Sequence, residues 1–325
     1  MRTLLRGFIP LLRIPRPGLV PSLPRAKYRD QVRNPLVLSG FLSWLGISQQ
    51  SEPENDLLIT IKRGILAVQE GDLKRADQIF HIALKMAFDI GHEEGITHIY
   101  CLLANTALER GLVGQAERLF TDILKRLLSS GEPQDSNAVV EISLKLAQIF
   151  SGQNNLQKAE QGFEFCTKTQ QLKVEKEGSA CSEDTLALYG LCLDKSAQFY
   201  LGQGRLEQAE SGFRSAVLLS SRIHGEEHEQ TLVINNSLAS VLSLKGETNQ
   251  AVTLLSRVIT TAESTSCQYL PTFLINRGII ELRAGLIDKA ELDCTRAREA
   301  AKSLKDEEAR REATECINQI KAATG

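Results

Sequence analysis

Residues 201–217, LGQGRLEQAESGFRSAV, set a glycine (Gly204) ahead of Ala209, Phe213 and Ala216, which recur at helical spacing. The same sentence is written six times. EGDLKRADQIFHIAL carries Gly71, Ala76, Phe80 and Ala83; RGLVGQAERLFTDIL carries Gly111, Ala116, Phe120 and Ile123. QNNLQKAEQGFEFCT carries Asn154, Ala159, Phe163 and Cys166; KGETNQAVTLLSRVI carries Gly246, Ala251, Leu255 and Val258. AGLIDKAELDCTRAR carries Gly285, Ala290, Cys294 and Ala297. Another small residue stands seven positions before each turn residue: Gly64, Ala104, Ala147, Ala197, Ala239 and Gly278. Glycine just past a helix end takes the left-handed conformation that stops the helix, and Asn is the usual second choice. The small residue before the turn and the alanine after it let two antiparallel helices approach closely. The large residue four positions on fills the gap beside them.

Composition agrees with a helical array. Of 325 residues, 42 % are hydrophobic and only 5 % aromatic, a mixture rich in helix formers and poor in the residues of a β-sandwich. The net charge of −2 hides an asymmetry. Residues 1–33 hold eight Arg and Lys against the single acid Asp30, so the rest of the chain is acidic. No basic stripe marks the body, which argues against nucleic acid as a partner. The seven cysteines follow no C-x-x-C or metal-ligand spacing; they read as small buried hydrophobes kept reduced.

MRTLLRGFIPLLRIPRPGLVPSLPRAKYRDQVR is Arg-rich and nearly free of acid. Arg6, Arg13 and Arg16 interrupt its apolar run, unlike a secretory signal, and the character is that of a mitochondrial presequence over residues 1–33. Residues 36–47, LVLSGFLSWLGI, are uncharged but shorter than the roughly 20 apolar residues of a spanning helix. They suit a short interfacial element anchored by Trp44, followed by a polar linker, Ser48–Asp56; the segment and linker together cover residues 34–56.

The six units, over residues 57–303, resemble the tetratricopeptide repeat, whose helix–turn–helix unit carries this small–Gly–Ala–aromatic–Ala pattern. The resemblance implies an all-α solenoid of six helical hairpins. DEEARREATECINQIKA, residues 306–322, reads as the capping helix that an array needs over its last apolar face, within a terminal segment 304–325. The key alanines lie 40, 43, 50, 42 and 39 residues apart, longer than the usual repeat of about 34. The widest gap contains KVEKEGSACSED, residues 173–184, which reads as an exposed loop. IHGEEHEQTLVINNSLASVL is similar to the longer repeats of kinesin light chains.

NAVVEISLKLAQIF (137–150), GFEFCTKT (162–169) and LYGLCLDKSAQFYL (188–201), with the basic N-terminus, resemble the mitochondrial tetratricopeptide repeat protein 19 family. That resemblance implies a factor at the mitochondrial inner membrane, peripheral or short-anchored. Its implied partner is respiratory complex III, which it assembles or maintains by helping clear fragments of the Rieske iron–sulfur subunit. The rival expectation is a cytosolic adaptor of the kinesin-light-chain kind that binds peptide segments.

The residues point to no catalytic set, cofactor, metal or small-molecule substrate. GQG at 202–204 is a turn signal, and HGEEH places His224 and His228 four apart in a solvated turn rather than as a metal pair. The positive expectation is a peptide-binding surface on the first helices of the hairpins, with Asn105, Gln148, Gln198, Asn235, Asn236 and Asn276 as its amides. Each both donates and accepts, as an extended backbone requires. Basic residues do not cluster there, which disfavours capture of a terminal carboxylate.

Overall fold

The computed structural model describes residues 52–324, and the basic presequence and the apolar segment 36–47 lie outside the described residues. The described residues form thirteen α-helices and no strand. They are α1 (Glu52–Gln69), α2 (Leu73–Asp89), α3 (Glu93–Glu109), α4 (Val113–Ser129), α5 (Asn137–Gly152) and α6 (Leu156–Glu177). Then follow α7 (Glu183–Gly202), α8 (Leu206–His224), α9 (Glu229–Leu244), α10 (Thr248–Ser264), α11 (Leu270–Arg283), α12 (Ile287–Ser303) and α13 (Glu307–Thr324). Odd and even helices through α12 make six hairpins, and α13 is the cap: an all-α fold of the tetratricopeptide-repeat solenoid class. The chain divides within α7 into two compact units, an N-terminal unit through Cys192 and a C-terminal unit from Leu193.

One backbone device closes all six hairpins. Gly71, Gly111, Asn154, Gly204, Gly246 and Gly285 all have φ between 60° and 86°. The next residue's N–H returns to a carbonyl five positions back: Asp72 to Ala67, Leu112 to Ala107, Asn155 to Phe150, Arg205 to Tyr200, Glu247 to Leu242 and Leu286 to Glu281, all at 2.8–2.9 Å. This is the Schellman closure, which satisfies carbonyls that the helix end would orphan. Four turns between hairpins repeat it, with Gly91, Gly131, Ser266 and Lys305 in the left-handed conformation. Ser and Lys are unfavourable there, so no residue type advertises those two turns.

Close approach is literal. A Cβ on Gly64 would stand 2.3 Å from the Phe80 ring, and one on Gly278 2.7 Å from Cys294 Sγ. In the third and fourth hairpins the partner of the small residue is a glycine. A Cβ on Gly162 would meet that of Ala147 at 2.8 Å, and one on Gly212 that of Ala197 at 2.9 Å. The large residues fill the space alongside: Phe80, Phe120, Phe163, Phe213, Leu255 and Cys294 are all buried.

Two boundaries differ from the reading of the sequence. Helix α1 begins at Glu52, inside the stretch read as linker. The 173–184 loop is helical as far as Glu177, because Lys, Val and Glu extend α6 and Gln171 donates to Glu175 at 2.9 Å. The cap starts where Asp306 accepts hydrogen bonds from the N–H groups of Glu308 and Ala309, at 3.1 and 3.0 Å. It buries Ala309, Ala313, Cys316, Ile317 and Ile320.

The cysteines correct a further expectation. Cys101, Cys166, Cys192 and Cys267 are buried free thiols, but Cys294 on α12 is joined to Cys316 on α13. Their Cα atoms lie 6.1 Å apart, within the span that a disulfide requires. The packing of α13 on α12 creates this pairing, and a separation of 22 residues does not reveal it.

Candidate protein-binding surface

The first helices of the hairpins carry the amides. Asn105, Gln148 and Gln198 each follow the small contact residue of their hairpin directly (Ala104, Ala147, Ala197), so they share one register position, and each is partly exposed. In the N-terminal unit, Asn105 donates to the Cys101 carbonyl at 2.9 Å. In the C-terminal unit, Gln198 donates to both carboxylate oxygens of buried Asp194, at 2.9 and 3.0 Å, and Lys195 pairs with the same group at 3.0 Å. Asn235 donates to the Thr231 carbonyl at 3.0 Å. Asn105, Gln198 and Asn235 thus each engage an amide proton inside their own helix.

The structure brings Asn236 and Asn276 together across two hairpins. Asn276, only 3 % exposed, donates to Asn236 Oδ1 at 2.8 Å. Beside Asn276 opens a pocket of about 140 Å³, lined from α11 by Thr272, Ile275 and Ile279 and from α13 by Glu312, Glu315, Cys316 and Gln319. The cap thus does more than cover the last apolar face: Cys316 and Gln319 recur on the side of α13 that meets α11.

In the N-terminal unit, α3 and α5 add a second polar group that the amide search missed. Burial raises the Glu141 carboxyl to about 7 and the half-buried Glu109 carboxyl to about 8, with Lys145 opposing both. Burial, then Glu141, pushes the Cys101 thiol up to about 12, far from a reactive thiolate. Burial lowers His98 to about 4, so it is neutral at physiological pH. A signal existed in the sequence, since Glu141 sits inside the apolar run AVVEISLKL, where a carboxylate must be desolvated.

These groups set a pH dependence with a definite sign. Glu109 and Glu141 bind more protons folded than unfolded, so stability is lost as pH rises from their ordinary value of 4.5 towards about 8. His98 acts oppositely, but only between about 4 and 6.5. From pH 6.5 to 8 the carboxyls act without it. Thermal denaturation is expected to show stability falling across that window, and a Glu109→Gln, Glu141→Gln double variant to flatten the slope. An unchanged slope in the variant would reject this assignment.

The His224 and His228 rings stack with centroids 4.7 Å apart, and His228 caps α9 by accepting from Gln230 N–H at 3.2 Å. Among the described residues no group of three or more His, Cys, Asp or Glu side chains converges as a metal ion requires. The N-terminal unit thus offers amides and two carboxyls, Glu141 buried and Glu109 half-buried, and the C-terminal unit amides and a small pocket.

The tetratricopeptide-repeat family signature matches residues 185–264. Tetratricopeptide repeat protein 19, mitochondrial, of Danio rerio is 33 % identical over 220 residues, which cover 65 % of this chain and 55 % of that protein. The chain therefore spans about half the length of that relative. The Drosophila melanogaster homolog is 33 % identical over 274 residues, 84 % of this chain and 74 % of that protein. Among solved structures, BtubC (BKLC) from P. vanneervenii superimposes with a TM-score of 0.57 at 17 % identity, covering 79 % of this chain and 94 % of that one. A putative kinesin light chain of Podosopora anserina with nearly identical repeats gives 0.53 at 15 % identity, over 67 % of this chain and 99 % of that one. Both structural likenesses speak for the fold alone.

Proposed function

The chain belongs to the mitochondrial tetratricopeptide repeat protein 19 family, and from that premise we propose that it is a non-catalytic scaffold that preserves respiratory complex III. It binds subunits of that complex, the Rieske protein included, and promotes clearance of Rieske fragments. It works at the mitochondrial inner membrane, delivered by residues 1–33 and held peripherally or by the short apolar segment. No helix among the described residues is long and apolar enough to cross a membrane. The observation that carries this reading is 33 % identity sustained across 84 % of the chain. The stacked hairpins support it physically, since tetratricopeptide folds bind proteins through the faces of their first helices. Within the N-terminal unit the proposed binding residues are Asn105 and Gln148; within the C-terminal unit they are Gln198, Asn235, Asn236 and Asn276.

The alternative is a cytosolic adaptor of the kinesin-light-chain kind, favoured by the IHGEEHEQTL junction. Processing separates the two. Incubated with energised mitochondria, the full chain is expected to enter a protease-protected compartment and to lose its N-terminal basic segment. A chain that keeps Arg2–Arg33 and stays accessible in the cytosol would favour the adaptor.

A further inference from the structure

We propose that Cys294 and Cys316 form a thiol–disulfide exchange site, reached through the pocket between α11 and α13, which takes a small disulfide as oxidant and locks the terminal helix when oxidised. Cys294 occupies the position at which four other hairpins carry Phe80, Phe120, Phe163 and Phe213. The substitution is matched across the interface. Gly278 faces the sulfur so closely that a Cβ there would lie 2.7 Å from it. Cys316, 2 % exposed, lines the pocket wall beside Glu312, Glu315 and Gln319, whereas Cys294 lies fully buried behind it. Of the two cysteines only Cys316 lines the pocket, so a reagent entering there meets it first and Cys294 acts as the resolving partner.

The exchange balances without a further reactant. The Cys316 thiolate attacks one sulfur of the small disulfide, whose S–S bond breaks; a mixed disulfide forms at Cys316 and one small thiolate leaves. The Cys294 thiolate then attacks the Cys316 sulfur, forming the protein disulfide and expelling the bound half as a second thiolate. The two protons given up by the cysteines end on the two departing thiolates. Two protein thiols are oxidised and one small disulfide is reduced to two thiols. The acids on the pocket rim select a cationic disulfide over an anionic one. The four buried free thiols, Cys101, Cys166, Cys192 and Cys267, do not line this pocket, and Cys181, the partly exposed one, lies outside it too.

The full chain, reduced and then exposed to graded ratios of cystamine to cysteamine, tests this by alkylation and peptide mass mapping. The Cys294–Cys316 link is expected to form at ratios that leave Cys101, Cys166, Cys192 and Cys267 alkylatable, and about tenfold faster with cystamine than with glutathione disulfide at low salt. Cys294→Ser should trap a mixed disulfide at Cys316, and Cys316→Ser should leave Cys294 unmodified. In the unaltered chain, amide exchange along α13 should slow by about tenfold or more on oxidation. The proposal is overturned if both thiols persist at every ratio, if Cys166 and Cys192 oxidise together with them, or if Cys294 reacts when Cys316 is absent.

Discussion

Replacing Phe120 with Ala lowers the unfolding free energy of the N-terminal unit by about 3–5 kcal/mol. Phe120, 1 % exposed, packs in one cluster with Cys101, Ala104 and Ala107 of α3, Ala116 and Ile123 of α4, and Ile142, Leu146 and Ile149 of α5. Its immediate supports include three alanines, which cannot grow into the space that the ring would leave. The hairpin cannot collapse by helix movement either, because Ala104 and Ala116, both 0 % exposed, already hold its helices at close range. The loss should also be local. In a stacked array each hairpin is stabilised chiefly by its neighbours, so amide exchange should accelerate along α3–α5 and stay unchanged along α11–α13. A loss below about 1 kcal/mol, within the range of ordinary surface substitutions, would contradict the packing described.

Replacing Arg277 with Met costs about 3–5 kcal/mol, for a different reason. Asp293, 2 % exposed, occupies in the sixth hairpin the position that Gly162 and Gly212 hold in the third and fourth. A carboxylate at a helix contact needs a partner, and Arg277 supplies it with two hydrogen bonds of 2.5 and 2.8 Å while donating a third, at 3.0 Å, to Ser256 Oγ on α10. Arg296 approaches the same carboxylate at 3.4 Å and also pairs with Glu263 on α10. Beside them Glu281, raised by burial and then by Asp293, adds a further buried carboxyl. Without Arg277 the Asp293 carboxylate keeps only the longer contact to Arg296, beside the buried Glu281 carboxyl. Chemical denaturation of the C-terminal unit should register the loss. An Arg277→Met, Asp293→Leu double variant should recover part of it, because an apolar pair avoids the desolvation that the ion pair must offset. A double variant less stable than the single one would reject that account.

The six hairpins were legible because each turn residue, small residue, alanine and aromatic is imposed by a contact that repeats, and repetition makes weak signals add. Between hairpins, Gly91, Gly131, Gly178 and Gly225 announce a positive-φ residue, whereas Ser266, and Lys305 before the cap, adopt one under tertiary constraint. Gly162 and Gly212 lay inside the quoted repeats and still passed unread, since the close contact they permit is visible only with Ala147 and Ala197 opposite. At the site, Asn105, Gln148 and Gln198 share one register position because each directly follows its hairpin's small contact residue. What sequence could not supply was side-chain direction between helices. The Asn236–Asn276 hydrogen bond, the pocket wall given by α13 and the Cys294–Cys316 link all depend on which faces meet.

The central claim is that the first-helix faces grip subunits of complex III, and photo-crosslinking in intact mitochondria tests it most directly. A photoreactive residue is placed in the full chain at Gln148, and in a second version at Leu218, which is 73 % exposed on the second helix of its hairpin. Complex III subunits, the Rieske polypeptide among them, are expected among the products from position 148 and absent from those at 218. Recovery of no complex III subunit from position 148, or equal recovery from both positions, would contradict the account.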